Sequence, residues 1–162
     1  MAVDPLEYRQ IIGGFATGVT VVTASHGDEK FAMTANSVTS LSLEPCLLLI
    51  CFIRGSKTLI AVKEAGWFGV NILHSDQEDL SDTFARTTGT FENVAHTVDG
   101  HGVPLLEGTL GNFVCRLDSV SAGGDHEIVV GEVVDESPSA RADSDDSPLL
   151  FYRGEYRRIG ER

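Results

Sequence analysis

The 162-residue sequence lacks the short motifs that mark most nucleotide and metal sites. It holds no G-x-G-x-x-G opening a helix after a strand and no G-x-x-x-x-G-K-[ST], which excludes a Rossmann dinucleotide site and a P-loop. His126-Glu127 has no second histidine at H-E-x-x-H spacing, so metal catalysis is not expected, and no metal site is assigned. Cysteine is scarce. Cys46, Cys51 and Cys115 form an odd set without C-x-x-C spacing, which argues against a disulfide framework and structural zinc; all three are expected to be reduced and buried. The longest apolar run, residues 47–53, falls far short of the roughly 20 residues that span a bilayer, and the N-terminus lacks a basic-then-apolar secretion signal. A cytoplasmic protein without membrane contact is expected. Positive charge is also in deficit: 12 Lys and Arg against 24 Asp and Glu give a net charge of −12, which excludes non-specific nucleic-acid binding driven by phosphate neutralisation.

What is present is mostly β pattern within the size of one domain, residues 1–162. Asp4-Pro5-Leu6-Glu7 sets an N-cap, a proline at the first helical position and an early acid, predicting a helix over residues 5–15. Residues 19–24 and 31–37 flank a polar turn at 28–30 and read as a hairpin. Residues 47–52 form the unbroken apolar run of a strand buried on both faces. Ser56 caps a helix over 57–65 with Gly66 as its stop, followed by a strand over 67–73. Ser75 to Glu78 has the spacing of a capping box, predicting a helix over 76–86. Further strands are expected at 109–121, at 127–135 across a turn at Gly123-Gly124, and at 149–156. Residues 87–102 and 136–148 read as loops, the latter rich in Ser, Pro, Ala and Asp. Many short strands with few helices suggest a barrel or sandwich.

Residues 31–42 concentrate neutral hydroxyl and amide groups: Thr34, Asn36, Ser37, Thr39, Ser40 and Ser42. Such an inventory suits a polar, uncharged ring system with a hydroxylated tail, and equally an edge strand and turn that bond their own backbone. Its neighbours in order are Phe15-Ala-Thr-Gly18, Leu43-Glu-Pro45, Arg54-Gly-Ser-Lys-Thr58, Phe68-Gly-Val-Asn71, Asp76-Gln77, Phe84-Ala85 and Gly124-Asp-His126. From about Tyr8 to Tyr156 the chain thus resembles the short-chain flavin reductases, the NAD(P)H:flavin oxidoreductase components of two-component monooxygenases.

That resemblance implies a mostly β split barrel with a few short α-helices. It implies FMN or FAD in a groove at a homodimer interface, NADH or NADPH lying against the flavin as hydride donor, and a separate monooxygenase that receives the reduced flavin. Carried over by position, Thr34, Ala35, Asn36, Ser37 and Ser40 line the flavin, and Cys51 lies on the strand beside its ring without a redox role. Ser56, Lys57 and Thr58 hold its phosphate at a helix N-terminus, where free N–H groups and the dipole favour an anion. Arg54 is a further phosphate contact, Phe84 packs at the cofactor's edge, and His126 stands near the nicotinamide as the catalytic candidate. Two positions depart from the family pattern: Pro45-Cys46 replaces Pro-Pro, and Gly55-Ser56 replaces Ser-Ser, removing a hydroxyl near the phosphate. These residues leave FMN and FAD, and NADH and NADPH, equally open. A flavin-binding electron carrier, or a split-barrel oxidoreductase using pyridoxamine phosphate or a deazaflavin, are the alternatives.

Overall fold

The computed structural model describes residues 3–86, 90–138 and 147–160. Helix α1 (Pro5–Ile12) begins where the cap signal places it, with Asp4 accepting from the Leu6 N–H at 2.9 Å. It stops short of residue 15 because Gly13 and Gly14 end the ladder with bonds back to Arg9 and Ile11. No α1 side chain is buried.

A seven-stranded antiparallel sheet forms the body. It comprises β2 (Thr20–His26), β3 (Glu29–Ala35), β4 (Val38–Leu43), β5 (Cys46–Ile53), β6 (Trp67–Ile72), β9 (Gly111–Gly123) and β10 (His126–Pro138), in the order β3-β2-β6-β9-β10-β5-β4. Its two edges, β3 and β4, are consecutive in the chain with only Asn36 and Ser37 between them. Three Cα–Cα steps reach at most about 11 Å. The sheet must therefore curl until its ends meet, yet no ladder joins β3 to β4, which leaves a barrel open along one seam. The hydroxyl-rich run over 31–42 supplies both lips of that seam. A three-stranded sheet of β1 (Thr17–Gly18), β11 (Leu150–Tyr152) and β12 (Glu155–Arg157) and a two-stranded sheet of β7 (His96–Val98) and β8 (Pro104–Leu106) complete the β structure of the described residues.

Helix α2 (Lys57–Ala65) matches its expected bounds. Ser56 accepts from the Leu59 N–H at 3.3 Å, and Gly66 takes the left-handed conformation at φ 72° that ends the helix. Its Leu59, Ala61 and Val62 pack with Val22, Ile50, Phe52, Phe68, Val70 and Val129 in the main core. A second cluster joins Val19, Val21, Leu73, Leu106 and Leu149 to Phe84 of α3 (Glu78–Ala85). Gly131 is required by close packing: a Cβ there would stand 2.3 Å from the Phe68 ring.

Several expectations are corrected. The strand buried on both faces is β2, whose Val22 and Ala24 enter one cluster and Val21 the other; β5 alternates instead, with Leu48, Ile50 and Phe52 inward. The capping box at Ser75 does not form: Gln77 is the N-cap residue without a side-chain cap bond, its Oε1 accepting from the His74 N–H at 3.0 Å. Ser75 instead donates its backbone N–H to Ser147 at 2.8 Å, tying this turn to the C-terminal segment. The last strand is a hairpin, β11 and β12, turning at Arg153 and Gly154 with positive φ. The expected loop over 87–102 contains β7, and residues 136–138 still belong to β10; positions 87–89 and 139–146 lie outside the described residues. Of the cysteines only Cys115 is buried, while Cys46 is exposed and Cys51 half-buried. No described helix is long and apolar enough to cross a membrane.

Candidate functional site

A cleft of about 780 Å³ opens at the β3 edge of the seam. Three pieces of chain build it. The β2–β3 turn and β3 contribute Asp28 to Thr34, the β5–α2 connection contributes Ile53, Gly55, Ser56, Lys57 and Thr58, and the end of α3 with the chain beyond contributes Phe84, Ala85, Arg86, Thr90 and Phe91. As an edge strand, β3 leaves one row of backbone groups unpaired, so consecutive residues touch the cleft rather than alternate ones.

The residues expected to hold a flavin phosphate are brought to this cleft by α2. Ser56 spends a lone pair on the Leu59 N–H, leaving the first N–H groups of the helix, on Lys57 and Thr58, without intrahelical acceptors. Lys57 is exposed and Thr58 buried at this terminus. Together with Lys30 and Arg86, Lys57 puts three cations on the lining of a protein with net charge −12, opposed there by Asp28 and Glu29. Phe84 is 2% exposed and meets Phe91 at a ring-centroid distance of 5.3 Å, giving the cleft one apolar aromatic wall.

Thr34 lines the cleft, but its hydroxyl donates to the Ser81 carbonyl at 2.6 Å, so it braces α3. Ala35 is buried; Asn36, Ser37 and Ser40 are exposed along the seam beyond Thr34; and Cys51 is half-buried in β5. None of these five lines the cleft of a single chain. Ser37 donates its hydroxyl to the Cys51 carbonyl at 3.1 Å, and the Cys51 N–H donates to the Ser37 carbonyl at 3.2 Å, so this pair stitches the β4 lip to β5. Arg54 also lies off the cleft lining. Its N–H donates to the Asp125 carbonyl at 3.2 Å, and its charge helps hold the Asp125 carboxyl down.

His126 opens β10 directly opposite Ile53, so one strand separates it from the cleft wall. Its Nδ1 donates to Asp125 Oδ1 at 2.7 Å, so Nε2 is the ring nitrogen not engaged by Asp125, in a half-exposed ring. The hydrogen bond from His126, then its charge, hold the Asp125 carboxyl below the usual carboxylate range. The turn before it, with Gly124 at φ 71°, sets this geometry.

Lys30, Phe31, Met33, Arg86 and Phe91 line the cleft without having been singled out from the sequence. The polar turn expected at 28–30 is shorter: β3 begins at Glu29 and carries Lys30 into the wall. Phe91 lies beyond the end of α3, so no helical spacing in the sequence pairs it with Phe84. No group of three or more His, Cys, Asp or Glu side chains among the described residues is arranged to hold a metal ion.

The chain matches the flavin reductase like domain over residues 12–160. It is 38% identical over 157 residues to the reductase subunit HsaB of a flavin-dependent monooxygenase from Mycobacterium tuberculosis, covering 95% of this chain and 82% of that protein. It is 37% identical over 155 residues to the FMN reductase (NADH) SmoA of Agrobacterium fabrum, covering 96% and 86%. Its fold superposes on nitrilotriacetate monooxygenase component B from Mycobacterium thermoresistibile with a TM-score of 0.90 at 35% identity, covering 96% and 86%. An NADH:FAD oxidoreductase of Streptomyces globisporus solved with NAD and FAD fragments gives 0.88 at 35% identity, covering 99% and 97%. An open-seamed antiparallel barrel, a cation-lined cleft at a helix N-terminus and whole-chain similarity to these proteins converge: the chain belongs to the flavin reductase-like domain family.

Proposed function

We propose that this protein reduces FMN or FAD with NADH or NADPH and releases the reduced flavin to a separate monooxygenase in the cytoplasm. The carrying observation is the cleft in which Lys57 stands at the α2 N-terminus beside an aromatic wall, in a chain of this family. Flavin and nicotinamide supply the hydride chemistry themselves; the chain's work is to bind, align and desolvate them. Lys57 and the N–H groups at the start of α2 take the flavin phosphate. Phe84 and Phe91 offer apolar surface, and the exposed amide and hydroxyls of Asn36, Ser37 and Ser40 serve the polar ring edge and ribityl chain. His126, oriented through Nδ1 by Asp125, presents Nε2 toward the nicotinamide.

A second copy of the chain completes this site. Asn36, Ser37, Ser40 and His126 are off the cleft of one chain, and a single chain leaves large apolar side chains in water: Leu6 is 74% exposed, Ile11 73% and Leu43 80%. Exposed apolar surface on this scale suits a permanent partner, and the second subunit supplies the missing walls.

Anaerobic mixing of the pure protein with either nucleotide and either flavin tests the reading. Stoichiometric bleaching of the flavin with oxidation of the nucleotide is expected. A protein that binds flavin yet leaves it oxidised with both nucleotides is a carrier, and the reading falls.

A further inference from the structure

Helix α3 forms one wall of the cleft through Phe84 and Ala85, yet it is weakly anchored by its own sequence, being 8 residues long without a side-chain N-cap. What holds it comes from elsewhere. On the cleft side Thr34 donates to the Ser81 carbonyl. On the far side stands Tyr156, on the C-terminal hairpin, with its hydroxyl 2.8 Å from Ser81 Oγ and donating to Asp82 Oδ1 at 2.9 Å. A phenol has one proton. Since Tyr156 gives it to the Asp82 carboxylate, Ser81 must donate to Tyr156, making a directed chain from Ser81 through Tyr156 to Asp82. Ser81 is fully buried, so its hydroxyl has no water to turn to. The Tyr156 ring is itself held edge-on by Phe151 at 5.6 Å across the β11–β12 pair.

We propose that Tyr156 is a positioning residue for flavin binding: through Ser81 and Asp82 it fixes α3, and so sets where Phe84, one turn further on, stands in the cleft. Tyr156 does not line that cleft, and it acts only through α3. Partial burial and the neighbouring Asp82 and Glu78 carboxylates raise its phenol above the ordinary tyrosine range, outweighing the Ser81 bond, so the clasp stays protonated under working conditions. The proposal rests on the cleft binding flavin, as argued above.

Tyr156→Phe keeps the ring and its contact with Phe151 while removing the hydroxyl. The expected result is a rise of about 5- to 50-fold in the flavin KM and in the flavin dissociation constant. At saturating flavin, kcat should stay within about twofold of the parent and the nicotinamide KM should not move. Ser81→Ala should give the same split, and the Ser81→Ala/Tyr156→Phe pair should cost less than the sum of the singles, because both cut one chain. Asp82→Asn retains an acceptor oxygen and should bind flavin nearly as the parent does, whereas Asp82→Ala should not. Should Tyr156→Phe fail to fold, the Asp82 pair, on an exposed side chain, carries the test. Parental flavin affinity in Tyr156→Phe, or in Asp82→Ala, overturns the proposal, as does a fall in kcat together with a rise in both KM values, which marks general loosening. A parent that reduces no flavin would fail the functional reading instead.

Discussion

Ile53 and His126 face each other as direct partners across β5 and β10. Ile53 is 62% exposed and lines the cleft, so the ladder that positions it also sets His126 one strand beyond the cleft lining. Two residues far apart in sequence become neighbours through the pairing of their strands.

If His126 positions the nicotinamide, His126→Ala should leave flavin affinity nearly unchanged and slow flavin reduction by about ten- to a thousand-fold. Anaerobic stopped-flow reduction measures this. Reduction at the parental rate would make His126 a structural strand residue.

Lys57→Ala and Asn36→Ala should weaken flavin binding by different routes. Each should cost about 1 to 3 kcal/mol, the first through lost phosphate charge and the second through lost hydrogen bonds to ring or ribityl groups. Raised salt should reproduce only the Lys57 effect, because screening acts on charge. Titration of both variants at two ionic strengths decides it, and parental affinity in both would refute this mapping.

Light scattering at micromolar concentration should return a dimer. Leu6→Glu with Ile11→Glu on α1, where neither side chain is buried in a single chain, should shift mass toward the monomer with the secondary structure intact. Full activity in a monomeric parent would remove the need for a second subunit.

Burial pushes the Cys115 thiol up to about 12 from an ordinary 9.0. The folded chain thus keeps a proton that the unfolded chain releases, so stability should fall as pH climbs from about 9 toward 12. A thiol reagent at neutral pH should modify Cys46 readily and Cys115 only on unfolding, which mass spectrometry of time points resolves.

The helix α2 with Ser56 and Gly66, the hairpin of β2 and β3, and the start of β10 at His126 were legible in the sequence. Each is set by contacts within a few residues: a cap, a left-handed glycine, a tight turn. The capping box at Ser75 misled because its donor was claimed by Ser147, a partner 72 positions away in the chain. The aromatic wall and the cations Lys30 and Arg86 were not visible either, since what brings them together is α3 lying on β3.

By itself the sequence determined the local elements, the acidic surface, and, through its whole-length order of motifs, the family to which the chain belongs. Only the tertiary structure decided which residues share a cleft. It placed Thr34's hydroxyl on α3, kept Asn36 and Ser37 on the open seam, and recruited Tyr156 from the C-terminal hairpin to hold α3 from behind. The physical reason is that side-chain partners are chosen by distance in space, and sheet order, which joins strands distant in the chain, sets that distance.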